Sequence, residues 1–353
     1  MRRHHDRKRR LQRRAIGVVL LLVAGAAGAG CSSSKPPTIA PARAAQSPPV
    51  AQNPAGEVRP LGGEAAAAIF DSGTHQLAVL LPGADPAAPG SVTEFVYPHA
   101  APRVVGLPGP ATALTGDGRG TAYLAARGGY YAVDMSTGHT SPVSVAGAER
   151  AEFTAIAQRA DGKLVLGSAD GAVYTLASRT PGADATATVD HRNKIFARVD
   201  FLATQGNTTV VLDRGQTSVT TIGADGDVQQ ALRAGEGATT LAADPLGRVL
   251  VADTRGGQML VYGVNPLILR QAYPVRQAPY GLAGSRGLTW VSQTATNVVI
   301  GYDLSTGIPV EKVRYPTVQQ PNSLAYDETT DTLYVVSGSG AGVQTIEHAA
   351  DAR

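Results

Sequence analysis

Few residues in this chain have the types and spacing that covalent chemistry needs. There is one cysteine, Cys31, so the chain can form no internal disulfide and no thiol–histidine pair deeper in the sequence. His75, His99, His139, His191 and His348 stand apart, without the i, i+2 or i+4 partners of a metal site. There is no G-x-S-x-G elbow, no P-loop and no G-x-G-x-x-G after a strand. What remains suits recognition. Two turns, Asp213-Arg214 and Asp253-Thr254-Arg255, recur about one repeat apart and would present mixed charge to a polar ligand. The competing role for each Asp is local, accepting backbone N–H bonds while the Arg is solvated. Glu152, Arg198, Tyr280 and Asn322 complete the candidates, and only the elements around them decide whether they meet.

Those elements repeat. A small apolar strand, a Gly/Asp turn, a second apolar strand and a third recur seven times. The units open as AAAAIFDSGTHQLAVL, ATALTGDGRGTAYLAA, FTAIAQRADGKLVLGS, VDFLATQGNTTVVLD, TTLAADPLGRVLVAD, YGLAGSRGLTWVSQ and NSLAYDETTDTLYVVS. Equivalent apolar positions are Ile69, Leu114, Ile156, Phe201, Leu241, Leu282 and Leu324, spaced by 40–45 residues. That period, with no helical pattern between strands, predicts an all-β, seven-bladed β-propeller. Second strands such as Val249–Val251 are apolar on both faces, as blades packed on two sides require. The seventh unit ends too early for a fourth strand, and residues 57–61 have no place in the first. They are expected to complete the last blade, so that no unpaired edge is left.

Ligands of a propeller gather where inner strands begin. Two residues before each reference position stand Ala67, Thr112, Thr154, Val199, Thr239, Tyr280 and Asn322, a ring without a carboxylate. Glu152 and Asn322 are the nearest oxygen donors, and two are too few for a hard cation. No metal and no catalytic residue is expected. Asp213, Asp253 and Arg198 are expected at the same mouth. The single tryptophan, Trp290, sits mid-strand and is expected in the core, which argues against a quinone group; no cofactor is expected.

Charge concerns address, not partners. The formal net charge is +3, but residues 1–30 hold eight basic residues and one Asp; the rest carries 23 basic and 27 acidic residues, a net −4 spread without asymmetry. Nucleic acid is not an expected partner. The basic start and the apolar run 15–30 read as a signal peptide, since sixteen residues span about 24 Å, short of a ~30 Å bilayer core. Gly28-Ala29-Gly30-Cys31 resembles a bacterial lipobox, although Leu is usual where Gly28 stands. The resemblance implies diacylation of Cys31 and attachment to membrane lipid. Residues 31–56, rich in Pro, Ala and Ser, read as a disordered tether. The domain reading is 1–30 signal peptide, 31–56 lipidated tether and 57–353 propeller.

The turns Val133-Asp134-Met135-Ser136-Thr137-Gly138 and Tyr302-Asp303-Leu304-Ser305-Thr306-Gly307, with Ala278-Pro279-Tyr280-Gly281 and Gln320-Pro321-Asn322-Ser323, resemble the YVTN/NHL-type bacterial β-propellers. With the lipobox and Pro-rich segment, the chain is similar to mycobacterial propeller lipoproteins over residues 15–347. That resemblance implies a cell-envelope lipoprotein on the extracytoplasmic face of the membrane and lends no activity. The expected function is a monomeric binding or scaffolding module for an envelope protein, peptide or glycan. The alternative is a hydrolase or lyase using the axial funnel.

Overall fold

Each repeat folds into an antiparallel sheet because its apolar strands are short, β-branched and divided by turns that demand left-handed backbone. The computed structural model describes residues 38–96, 100–178 and 185–351. The apolar run 15–30, Cys31 and His99 lie outside the described residues. None of the described residues is helical, and seven sheets form the blades of a β-propeller. The inner strands are Ala67–Asp71, Ala113–Gly116, Phe153–Gln158, Phe201–Gln205, Ala238–Ala243, Pro279–Gly284 and Pro321–Asp327. Each contains the apolar position predicted from the repeat.

The ring closes as the sequence predicts. Strand Glu57–Arg59 pairs antiparallel with Val343–Ile346 and becomes the fourth strand of blade 7, with Val58 opposite Gln344. Gly56 makes the entry possible. It has φ +71°, and a Cβ there would lie 2.0 Å from the Thr345 carbonyl oxygen. One blade departs from four strands. Residues Thr186–Ala187, in the long connection before the outer strand of blade 3, pair parallel with Thr140–Val145 and give blade 2 a fifth strand.

The core is divided among seven seams, one between each pair of neighbouring blades. Alternation along a central strand explains this. In blade 5, Val249 and Val251 pack toward blade 4 with Val210 and Leu212, whereas Leu250 and Ala252 pack toward blade 6 with Val291 and Ile300. The closing seam has the same construction: Leu77, Val79 and Phe95 of blade 1 meet Tyr334 and Val336 of blade 7. Each fully buried Val or Leu contributes roughly 1.5–3 kcal/mol. Trp290 is fully buried in the seam between blades 6 and 7 and stacks on Tyr326 at 5.9 Å, as its mid-strand position predicts.

Residues 38–55 correct the expectation of a free tether over 31–56. They form no strand, yet they lie along the mouth ends of blades 4 to 7 as a strap. The Ile39 N–H donates to the Gly215 carbonyl at 2.8 Å. Arg255 donates to the Ala40 carbonyl at 2.7 Å, and Arg214 to that of Ala42. Gln320 both donates to the Ala45 carbonyl and accepts from the Ser47 N–H, and Asn297 donates to the Pro48 carbonyl. Ala55 bonds to the Pro316 carbonyl before the chain enters blade 7. An extended, proline-rich backbone has no internal hydrogen bonds, so its carbonyls are free to accept from propeller side chains. Docking of this kind needs no apolar periodicity.

Candidate functional site

The inner strands converge on an axial funnel of about 270 Å³. Thr112, Thr154, Asp200, Thr240, Tyr280 and Asn322 supply its polar wall, among apolar residues such as Leu114 and Ile156. Tyr280 and Asn322 therefore stand where the repeat predicts. Val199 and Thr239 do not reach the wall. Both are fully buried, and the next residues, Asp200 and Thr240, take their places. A fixed offset from the reference position thus missed the funnel's carboxylate by one residue.

The threonine ring is largely structural. Thr112 Oγ1 donates to the Phe153 carbonyl of the next blade at 2.6 Å, and Thr154 Oγ1 to that of Val199 at 2.5 Å. Thr240 makes the same bond to Tyr280, and Ser292 reaches Pro321 at 2.6 Å. Each hydroxyl fastens one blade to the next.

Asp200 is the electrostatic centre of the wall. Its Oδ2 accepts the Arg214 backbone N–H at 3.0 Å, and its Oδ1 lies 3.3 Å from Arg198 Nε and 4.0 Å from Arg214 Nη1. Burial raises its pKa above the ordinary carboxylate value, against the opposing pull of the Arg214 N–H and both guanidinium groups. Tyr280 is likewise pushed up by burial, with Arg214 acting the other way. Arg198 is half exposed beside Asp200. Asn322 accepts from Gln320 Nε2 at 3.0 Å, which links the funnel to the side chain that grips the strap. Gln320 has φ 57° and Asn297 φ 53°; left-handed backbone at non-glycine residues costs on the order of 1 kcal/mol each. Both strained residues bind the strap.

Asp213 and Asp253 are not exposed at the mouth. Both are fully buried, and their oxygens accept backbone N–H groups: Ala197 and Gln216 for Asp213, Glu236, Gly237 and Gly256 for Asp253. Each carboxylate holds together the turn after the second strand and the connection that enters the blade. Gly235 permits this approach, because a Cβ there would sit 2.0 Å from Asp253 Oδ2. Glu152 is exposed and lines a separate surface pocket with Glu149, Arg150 and Asp170, so it does not join Asn322.

No histidine lines the funnel among the described residues. At the opposite end, His75 and His348 share a pocket of about 540 Å³ between blades 7 and 1. There the fold brings His348 together with Asp331 and Asp351, with ligand atoms within 4.8 Å of one another. Sequence spacing did not reveal this group, because Asp331 belongs to a hairpin turn and the others follow the last strand. Asp331 already accepts the Tyr326 hydroxyl and the Ala350 N–H.

Charge on the mouth is not evenly spread, a correction to the expectation from the sequence. The topology puts the connections before inner strands and the turns after second strands at this end. Around blades 4 to 6 and the strap these carry Arg43, Arg198, Arg214, Arg255 and Arg276 against Asp200 and Glu236, with the carboxylates of Asp213 and Asp253 buried behind them. Around blades 1 to 3 they carry Glu64, Asp85, Glu149, Glu152 and Asp170 against Arg127 and Arg150, with Lys194 at the end of the outer strand paired to Asp170 at 2.7 Å.

No known protein-family model matches the chain, and no curated protein matches its sequence. Solved structures match its fold. A chain of the mitotic checkpoint complex has a TM-score of 0.68 at 11% identity, covering 86% of this chain and 95% of that one. Virginiamycin B lyase from Staphylococcus aureus has a TM-score of 0.62 at 12% identity, covering 82% and 98%. Kuenenia stuttgartiensis hydrazine synthase has 0.64 at 12%, covering 85% and 100%. These likenesses establish a seven-bladed β-propeller and nothing finer.

Proposed function

We propose that the protein is a lipid-anchored envelope propeller that works as a binding module, taking a small polar ligand, or the polar tip of a peptide or glycan, into its axial funnel. The observation that carries this reading is the funnel wall. Asp200, flanked by Arg198 and Arg214, faces the same cavity as the Tyr280 phenol and the Asn322 amide. Hydrogen-bonding groups of both polarities in a half-apolar cleft suit recognition of a polar molecule. The threonine hydroxyls, which could have resembled nucleophiles, donate instead to neighbouring blades. The lipid anchor rests on the sequence around Cys31 and its likeness to a lipobox.

The test has two arms. Purified protein is screened against peptidoglycan fragments, short peptides and polyols by thermal shift, with Asp200→Ala and Tyr280→Phe as controls. A ligand that stabilises the wild type and neither variant supports the reading; ligands that act equally on all three refute the funnel as the site. Membrane fractionation of Cys31→Ala tests the anchor, and full retention in membranes would refute lipidation as its basis.

Lyase chemistry is the second reading, favoured by the structural likeness to virginiamycin B lyase. One such structure is a catalytically inactive histidine-to-alanine variant with quinupristin. The described funnel wall of the present chain offers no histidine. Incubation with quinupristin is therefore expected to leave it intact, and turnover would overturn the binding-module reading.

A further inference from the structure

We propose that the basic half of the funnel mouth, with the strap across it, is a docking surface for an anionic phospholipid bilayer, so that the protein lies mouth-down and tilted on its membrane. The inference rests on the anchor reading for where the chain is attached and on the structure for which face is presented. Three observations meet here. First, the described part of the strap reaches back to Thr38, on the mouth beside blade 4. Only six residues lie between Cys31 and Thr38, and the seven residue steps reach about 25 Å at full extension. A 25-residue free tether would have let any face approach the membrane; a docked strap selects one. Second, five arginines crowd that half of the rim, whereas the acidic residues gather around blades 1 to 3. The negative potential of a bilayer attracts the first half and repels the second. Third, the strap holds two large apolar side chains out toward solvent, Ile39 at 41% and Val50 at 43% exposure, on either side of exposed Arg43. Exposed apolar groups flanking a cation match the interfacial layer of a bilayer, where the chain's own attachment would bring them. The tilt leaves the acidic side of the funnel open to solvent.

The full chain is bound to vesicles of phosphatidylcholine alone and of phosphatidylcholine with phosphatidylglycerol, and backbone hydrogen exchange is followed on both. On the anionic vesicles, protection is expected over residues 38–50, 254–257 and 275–278, and not in the far-end turns 244–248, 285–288 and 328–331. On the neutral vesicles it is expected to be much weaker. Arg43→Glu with Arg276→Glu should lower the mouth protection about 25-fold or more, since each basic group near such a surface is worth about fivefold. Neither side chain is among those gripping the strap, so the fold is expected to stay intact, and a melting curve checks it. Protection of the far-end turns, equal protection on neutral vesicles, or protection indifferent to the charge reversals overturns the proposal. The Cys31→Ser chain separates the two readings. If it leaves membranes while the wild-type mouth stays unprotected, the anchor stands and the docking face is wrong. If it stays on membranes and its mouth is protected only on anionic vesicles, the docking face stands and lipidation is wrong.

Discussion

Arg214 touches both the strap and the funnel, and replacing it with Met tests whether the two are coupled. Its guanidinium donates to the Ala42 carbonyl and stands 4.0 Å from Asp200 Oδ1, with the side chain 19% exposed. A hydrogen bond to a charged donor contributes roughly 1.5–3 kcal/mol. The strap makes few other bonds near this point, so its opening free energy should fall by about that amount, or roughly ten- to 150-fold in the opening equilibrium. The Ile39 amide, three residues before Ala42, is the reporter, because it is bonded to the carbonyl of Gly215, the residue after Arg214. Hydrogen exchange at Ile39 should accelerate by this factor. Amides of the central strand Thr208–Asp213 should not change, and the melting temperature should move by no more than about 1 °C, since opening the strap is a local event. The Ser47 amide, held by Gln320, shows whether the strap opens as one piece. Unchanged exchange at Ile39 would refute the coupling, and equal acceleration throughout blade 4 would mean that Arg214 supports the propeller itself.

Three further outcomes are expected. Gly56→Val, which puts a side chain on a left-handed backbone against the Thr345 carbonyl, should release the closing strand and cost at least ~2 kcal/mol in urea unfolding; no loss would refute the seam. Arg103→Met removes the partner of the fully buried Glu94 carboxylate and should cost roughly 3–5 kcal/mol near neutral pH. Burial already raises the Glu94 pKa, and losing Arg103 raises it further, so the folded variant binds this proton more tightly than the unfolded chain. The deficit should therefore grow as pH rises from about 4.5 through the raised pKa and be smallest below about 4.5; a pH-independent deficit in urea titrations would contradict this. Thr154→Val, which breaks the clip to Val199, should lower stability by about 1 kcal/mol without altering the fold, as read by calorimetry.

The propeller was legible because its signals are local and repeated. Asp-Gly turns, two-faced apolar strands and a constant period each report on a few neighbouring residues, and seven copies reinforce one another. The seam between residues 57–61 and the last blade was legible by accounting for the missing fourth strand. The funnel was legible only in part. Tyr280 and Asn322 follow from the repeat, but Asp200 lies one position from the expected ring, as Thr240 does, so a fixed offset from the reference position does not find every wall residue. Asp213 and Asp253 looked like mouth residues because repetition signals a shared role without saying which one. Their burial shows the role to be the turn itself. The strap was invisible because its partners are side chains of Arg214, Arg255, Asn297 and Gln320, roughly 170–275 residues away in sequence, acting on a backbone whose own side chains carry no pattern.

The closing strand also governs when this molecule can exist. Glu57–Arg59 is among the first parts of the propeller to be synthesised, and its partner Val343–Ile346 is the last. At ~5–20 residues per second the early strand waits on the order of tens of seconds for its neighbour. Six blades can stack during that time, but the seventh seam, and with it the ring, belongs only to the finished chain. A chain cut short within its final repeat lacks more than one blade's worth of packing: it is an open arc with two exposed apolar seams, a substrate for proteolysis instead of a smaller propeller.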